Sequence, residues 1–327
     1  MGIREELVRL LADGAVHSGA DLARRLRCSR TTVWKHLHEL QSIGLEIASA
    51  RGRGYQLGQP LELLDRKVVL EGLQPAVRIE SLEIHGVTDS TSEQPGSMPA
   101  PRLGEMRIVL AEYQTGGRGR MGRRWLSPFG SGLCLSVGWC FAVVPPALPA
   151  LSLAAGVAVN RVLIRLEPAG LGLKWPNDIV AGGGKLGGLL VDVQGESGGP
   201  LTVIVGVGIN IDVSEHLRGQ LSGQEGMPPA GLRQLVSAGR LSRNALAADI
   251  CSELYAMLME FGRTGFANFR DEWRRFDCMH GRPVRVSIGL QVHDGVAGGI
   301  GADGALLLDQ NGQIRSVISG EVTLRAS

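Results

Sequence analysis

Gln114-Thr-Gly-Gly-Arg-Gly-Arg-Met-Gly-Arg-Arg-Trp125 is the stretch from which the rest of the chain can be read. It follows the apolar run Ile108 to Ala111 and precedes the apolar run Leu133 to Val137, so it reads as a loop between two buried strands. Four glycines let its backbone approach a ligand closely, and four arginines offer guanidiniums that pair bidentately with a carboxylate or a phosphate. That is anion-binding chemistry. In isolation the same composition also fits a basic surface segment that touches RNA without sequence preference. Gly117-Arg-Gly119-Arg-Met-Gly122 matches the dinucleotide-binding spelling, but a strand follows it where that site needs a helix.

Working outward, Ile79 to Ile84 reads as a strand ending in the polar turn Asp89-Ser90-Thr91-Ser92, whose hydroxyls either hold a polar ligand or cap a helix. Residues 93–105 read as loop. A strand through Phe141 leads to an Ala-rich helix from about Leu148 to Leu166. Next come Leu173-Lys174-Trp-Pro-Asn177-Asp178, a strand tip with charged and amide groups, and the glycine-rich Gly182 to Gly188 around Lys185, leading into a strand from Leu189 to Val193. Leu201 to Gly208 is a further strand, ending in Ile209-Asn210. These strand tips converge. Gly184-Lys185-Leu186 lacks the hydroxyl of a P-loop. Residues 214–240 read as a mobile excursion, followed by helices over 242–262 and 265–276.

Residues 1–60 change period. A first helix buries Ile3, Leu7 and Leu10 or Leu11, and a second opens at Ser18 and buries Leu22 and Leu26. A third, capped by Ser29, buries Val33, Leu37 and Leu40 and leaves Arg30, Thr31, Thr32, Lys35 and His38 on or near the other face. A hairpin with Arg51 and Arg53 at its tip follows, so the segment reads as a helix-turn-helix with a wing that reaches for phosphate. Nine lysines and arginines face six acidic residues here. The alternative is a small helical interaction domain without nucleic acid. Residues 61–77 read as a connecting helix, residues 78–277 as the central domain, and residues 278–327 as short alternating strands that suggest a small β-barrel.

With 327 residues the chain has room for two or three domains, and its net charge of +2 nominates no partner. Five cysteines without a Cys-x-x-Cys pair argue against a disulfide framework and a zinc site and fit a reducing cytosol. No charge occurs between Arg124 and Arg161, but Pro145, Pro146 and Pro149 interrupt that stretch, which fits a buried strand and helix better than a membrane span.

Five of these motifs, in this order, resemble the biotin protein ligases. They are the Gly-Arg-Gly-Arg-x-Gly-Arg-x-Trp loop, Lys174 to Asp178, Gly184-Lys185-Leu with Gly188, Gly206-Val-Gly-Ile-Asn210, and Gly320-Glu321-x-x-Leu-Arg. With the winged helix, the likeness is to the bifunctional form that also represses the biotin operon. The resemblance implies an α+β chain: a winged helix-turn-helix, a central mixed-sheet domain of the biotin/lipoate ligase type, and a small SH3-like barrel. It implies activation of biotin with magnesium and ATP to biotinyl-5'-AMP, then transfer to a lysine of biotin carboxyl carrier protein. Ser90, Thr91, Ser92, Gln114, Gly117, Arg118, Gly119, Arg120, Lys185 and Gly188 are then expected to bind biotin. Arg120, Arg123, Lys174, Asn177, Lys185 and Asn210 are expected on the ATP side, with Lys185, Arg118, Arg120 and Asp178 catalytic. Operator DNA, a ligand-promoted homodimer and a cytoplasmic location follow from the same likeness. Met121 stands where the family is often basic, Ser92 where it has Asn, and Pro95 where it starts a helix. Met227, Pro228 and Leu232 are left to cover adenine. Two alternatives stay open: a biotin-sensing transcription factor without catalysis, and a lipoate or octanoate ligase or transferase.

Overall fold

The computed structural model describes the chain apart from residues 1, 51, 94–98, 196–198, 222–226, 238 and 325–327. Arg51 at the wing tip, the middle of the stretch read as loop over 93–105 (Pro95 included), and Arg325 of the last motif therefore lie outside the described residues.

Three short helices, α1 (Ile3–Leu11), α2 (Gly19–Arg25) and α3 (Arg30–Ser42), and the hairpin β1 (Ile47–Ala50) and β2 (Gly54–Leu57) form the N-terminal unit. Its starts are chemical: the Ser18 hydroxyl accepts from the Asp21 N–H, and Ser29 from the Thr32 N–H at 3.0 Å. Leu7, Val8 and Leu11 of α1 pack with Leu22, Val33, Leu37 and Leu40, while Ile3 stays exposed. Phe129, far along the chain, completes this core, and its N–H donates to the Ile43 carbonyl. The unit is thereby seated on the central domain.

The central domain is a seven-stranded mixed sheet in the order β3 (Ile79–His85), β4 (Met106–Ala111), β5 (Gly132–Phe141), β9 (Leu201–Asn210), β8 (Gly184–Gly195), β7 (Asp178–Ala181) and β6 (Gly172–Lys174). Only β3 and β4 pair in parallel among the described strands. Helix α4 (Arg66–Gly72), helix α5 (Leu151–Leu163) and the long α8 (Arg243–Thr264) pack together on it, separated in sequence by α6 (Glu215–Leu221) and α7 (Leu232–Leu235). Because α5 lies between sheet and helices it is apolar nearly all round. With its flanking turns, Leu148–Leu166 is long and apolar enough to cross a membrane, but 67% of its most apolar window is buried in this packing.

After α9 (Arg270–Arg275), five antiparallel strands follow: β10 (Pro283–Ile288), β11 (Gln291–Ile300), β12 (Leu306–Gln310), β13 (Gln313–Val317) and β14 (Glu321–Leu324). They are ordered β13-β12-β11-β10-β14. The Trp175 indole N–H donates to the Gly304 carbonyl at 3.0 Å and fixes this sheet against the tip of β6.

Four local readings change. Strand β8 opens at Gly184 and not at the expected Leu189, since glycine lets it lie close to β9: a Cβ on Gly187 would stand 2.6 Å from the Gly208 carbonyl oxygen. The connecting helix covers only 66–72. Residues 61–65 are a strap held by side chains: Arg243, 1% exposed, donates to the Glu62 carbonyl at 2.6 Å and to Glu112 Oε2 at 2.8 Å, and the Leu64 N–H donates to Glu112 Oε1. Strands β11 and β13 were not expected. The segment 214–240 is anchored in places, with Leu217 and Leu232 buried and residues 228–230 paired alongside Lys185.

Candidate active site

The strand tips enclose a cleft of about 750 Å³ floored by Leu135, Gly206, Val207 and Gly208. Its glycines make room. A Cβ on Gly208 would meet the Trp125 ring at 2.5 Å, and one on Gly206 would stand 3.0 Å from Ser92 Oγ. The glycine–arginine loop above is zipped into a hairpin: the Gly119 N–H donates to the Arg123 carbonyl at 2.7 Å and the Trp125 N–H to the Gly117 carbonyl at 2.8 Å. At its turn Met121 takes φ 55°, a left-handed conformation, and is exposed.

One end of the cleft is polar but uncharged. Ser90, Thr91, Ser92 and Ser136 are all buried. Thr91 donates from its N–H to Gln114 Oε1 at 2.8 Å, and its hydroxyl lies 2.7 Å from Ser136 Oγ, which is 3.2 Å from Ser92 Oγ. The Thr91, Ser92 and Ser136 hydroxyls lie within bonding reach of one another, Thr91 also bonds Gln114, and Ser90 Oγ accepts from the Ser92 N–H at 3.4 Å; Ser90, Thr91, Ser92 and Gln114 line the cleft. The other end is cationic. Arg118, Arg120, Arg123, Arg124, Lys174 and Lys185 line it against two carboxylates, Asp178 and Glu321, so the site is net positive and suited to a polyanion.

Lys185 Nζ is 2.6 Å from Asp178 Oδ1, and Lys174 Nζ is 3.6 Å from Oδ2 of the same carboxylate. Arg120 is half-buried. That burial pushes its guanidinium below the usual arginine range, with the Glu321 and Asp178 charges opposing the shift. Its Nη1 donates to the Gly320 carbonyl at 3.4 Å, and Arg123 pairs with Glu321, so the loop meets the C-terminal sheet here. Arg118 Nη2 is turned to Asp192 on β8 at 3.0 Å.

All the expected ligand residues line the cleft except Gly117, whose carbonyl holds the hairpin. Asn177 and Asn210 sit there as backbone clamps: their amides donate to the Leu189 and Lys185 carbonyls at 2.6 and 3.2 Å. Gly188 flanks Lys185, where a Cβ would stand 3.6 Å from Nζ. Met227 and Pro229 line the rim, while Leu232 is in the core and Pro228 uses its carbonyl to hold the Lys185 N–H at 2.7 Å. Trp125 and Glu321 were missed as lining residues. Gly208 signalled the first, as an empty place in an apolar strand; the second arrives from a separate sheet.

On the N-terminal unit Arg30, Thr31, Lys35, His38 and Arg53 are exposed. Thr32 is partly covered, and its hydroxyl lies 2.9 Å from Ser29 Oγ.

Three stretches of the chain match known families. Residues 4–56 match an HTH domain, residues 87–210 the biotin/lipoate A/B protein ligase family, and residues 279–325 the biotin protein ligase C terminal domain. The chain is 36% identical over 326 residues to the bifunctional ligase/repressor BirA of Escherichia coli (strain K12), spanning 98% of this chain and 97% of the relative. It is 30% identical to that of Bacillus subtilis (strain 168), covering 98% of each. Among solved structures, a biotin protein ligase from Aquifex aeolicus in complex with biotin and ATP aligns with a TM-score of 0.60 at 26% identity, over 76% of this chain and all of that one. Full-length similarity above 30%, on top of a cleft with an uncharged polar end and a cationic end, shows that the chain belongs to the biotin protein ligase family, in the form that carries an N-terminal HTH domain.

Proposed function

We propose that the chain joins biotin to AMP from ATP, releasing pyrophosphate, and passes the biotinyl group to a lysine of biotin carboxyl carrier protein. Bound to biotinyl-5'-AMP, it also represses transcription through its winged helix. The observation that carries this reading is the two-ended cleft, in which hydrogen-bonding groups for an uncharged ring lie opposite cations for a carboxylate and phosphates. Neither the non-catalytic nor the lipoate alternative has a comparable observation behind it. We assign residues 1–60 to DNA binding, 61–77 to the connection, 78–277 to catalysis and 278–327 to a barrel that closes the cleft.

In the first step a biotin carboxylate oxygen bonds to the α-phosphorus as the bond to pyrophosphate breaks. Two anions must meet, and we assign Lys185 and Arg120, which both line the cleft, to neutralising them. Asp178 holds Lys185 and Lys174 in place. Ser90, Thr91, Ser92 and Gln114 receive the ureido head, and Arg118 turns from Asp192 to the carboxylate. In the second step the carrier amine attacks the carbonyl carbon, the acyl–oxygen bond breaks, AMP leaves, and the amine sheds a proton. Magnesium arrives with the triphosphate: Asp178 and Glu321, the carboxylates lining the cleft, are each already paired with basic side chains.

A single winged helix neutralises few phosphates, so specific repression calls for two copies on one operator, favoured when biotinyl-adenylate orders the cleft. Five free cysteines fit the reducing conditions of a cytoplasmic setting. The test is incubation with biotin, ATP and carrier protein, read by streptavidin blot; no labelled carrier would overturn the ligase.

A further inference from the structure

We propose that α3 presents a base-reading stripe in which the Trp34 ring contacts the 5-methyl group of a thymine and His38 Nε2 accepts from an exocyclic base amine. The proposal rests on the DNA-binding reading of the N-terminal unit and names two groups that read sequence there.

Trp34 is 52% exposed, whereas Val33, Leu37 and Leu40 of the same helix are at most 1% exposed. Thr31, Trp34, Lys35 and His38 fall at i, i+3, i+4 and i+7, which places them along one face of α3, one turn in from its N-terminus. That face is the part of a helix-turn-helix that meets base edges. The Trp34 and His38 rings lie 4.0 Å apart at 40°, so the indole is held against its neighbour before any ligand arrives.

Hydrogen bonding narrows the readout. His38 Nδ1 is 3.1 Å from the Trp34 carbonyl oxygen, which can only accept, so Nδ1 carries the hydrogen and the neutral ring keeps Nε2 as its acceptor. In the major groove the base donors are the amines of adenine and cytosine, and the apolar feature is the thymine methyl. Ser29 and Thr32 are engaged with each other in the cap, which leaves reading to the residues beyond them.

The occupant is set by charge. Glu39, the one carboxylate of α3, lies one turn beyond Lys35 and is held by Arg4 and His36 at 3.0 Å each, which engages its charge beside the stripe. Arg30 and Lys35 on α3 and Arg53 on the wing are exposed and positive. A cationic helix face with an aromatic plane in its middle fits the wall of a major groove, whose width admits one α-helix.

The experiment selects duplex DNA from a random pool with the full chain, biotin and ATP, then replaces each thymine of the recovered sequence by uracil, which removes only the methyl. Wild type should lose about fourfold in affinity at one position per half-site, the worth of one buried methyl. Trp34→Ala should bind thymine and uracil equally at that position, and Trp34→Leu should keep part of the difference. His38→Ala should relax the preference at an adjacent base pair. An unchanged far-UV circular dichroism spectrum and melting transition in all three variants confirms that the winged helix stays folded. Failure to recover any sequence overturns DNA reading and the stripe together. A recovered sequence whose uracil penalties are the same in wild type and Trp34→Ala overturns the stripe alone. So does a Trp34→Ala chain that sediments differently without DNA, since the ring would then belong to a protein contact.

Discussion

Arg243→Met tests the strap that ties the winged helix to the ligase. The guanidinium is 1% exposed and makes four hydrogen bonds to three oxygens at one point: Gly132 O from Nε and Nη2 at 3.2 and 2.9 Å, Glu62 O at 2.6 Å, and Glu112 Oε2 at 2.8 Å. Methionine fills similar space but leaves the Glu112 carboxylate, itself 5% exposed, with the Leu64 N–H as its one bonded donor among the described residues. Breaking a buried pair by removing one partner costs about 3–5 kcal/mol, more than the strap's remaining hydrogen bonds can restore. In a domain of this size that lowers the melting temperature by roughly 10 °C. Urea denaturation followed by far-UV circular dichroism measures the loss. Adding Glu112→Gln to the same chain should recover about 1 kcal/mol or more, because it removes the stranded charge and keeps an acceptor for Leu64. A loss below about 1 kcal/mol, or a double variant no more stable than the single one, would refute the reasoning.

Lys185→Ala should lower biotinyl-adenylate formation roughly 30- to 1000-fold with unfolding unchanged, and near-normal pyrophosphate release would remove Lys185 from the reaction. Arg120→Gly should release the activated anhydride into solution, visible as biotin on bystander proteins; labelling confined to the carrier would deny the loop a covering role. Sedimentation should show more dimer with biotinyl-adenylate than without, and equal populations would break the link to repression. Burial raises the Asp277 carboxyl above its ordinary value of 3.8, and Oδ2 has no bonded partner. Stability held while that group is protonated is therefore lost as pH rises through its folded value. Asp277→Asn should stabilise the chain at pH 7 and give no advantage below about pH 3.8, where both forms are neutral; an advantage that grows on acidification would contradict this.

Much of the architecture is legible in the residues because periodicity and caps act locally. Ser18, Ser29 and Ser242 each start a helix where a hydroxyl precedes an apolar period, and the runs 106–111, 132–141 and 201–210 are apolar enough to be read as buried strands. What escapes notice depends on partners distant in sequence. Gly184 to Gly188 reads as a lead-in to the strand until Gly208 and Ile209 lie beside it, since close approach of two strands uses the same residue that makes a chain flexible. Strand β11 contains Gly295, Gly298 and Gly299, and β13 is mostly exposed, so neither shows an apolar alternation. In the cleft, Ser90 to Ser92, Gln114 and Lys185 could be named from motifs. The clamping roles of Asn177 and Asn210 could not, because an amide's partner is a matter of geometry.

The strap also sets an order on the birth of the protein. Residues 62–65 are fastened by Arg243 and Asn244, whose bonds to them span up to 182 positions of chain. A ribosome reads from the amino end, and units fold as they emerge. The winged helix can therefore gather its own helices early, yet its tether is not fully fastened until the start of α8 has been made. Through that interval the nascent DNA-binding unit can already meet Phe129 and Glu112, but its strap closes fully only when most of the chain that makes up the ligase already exists.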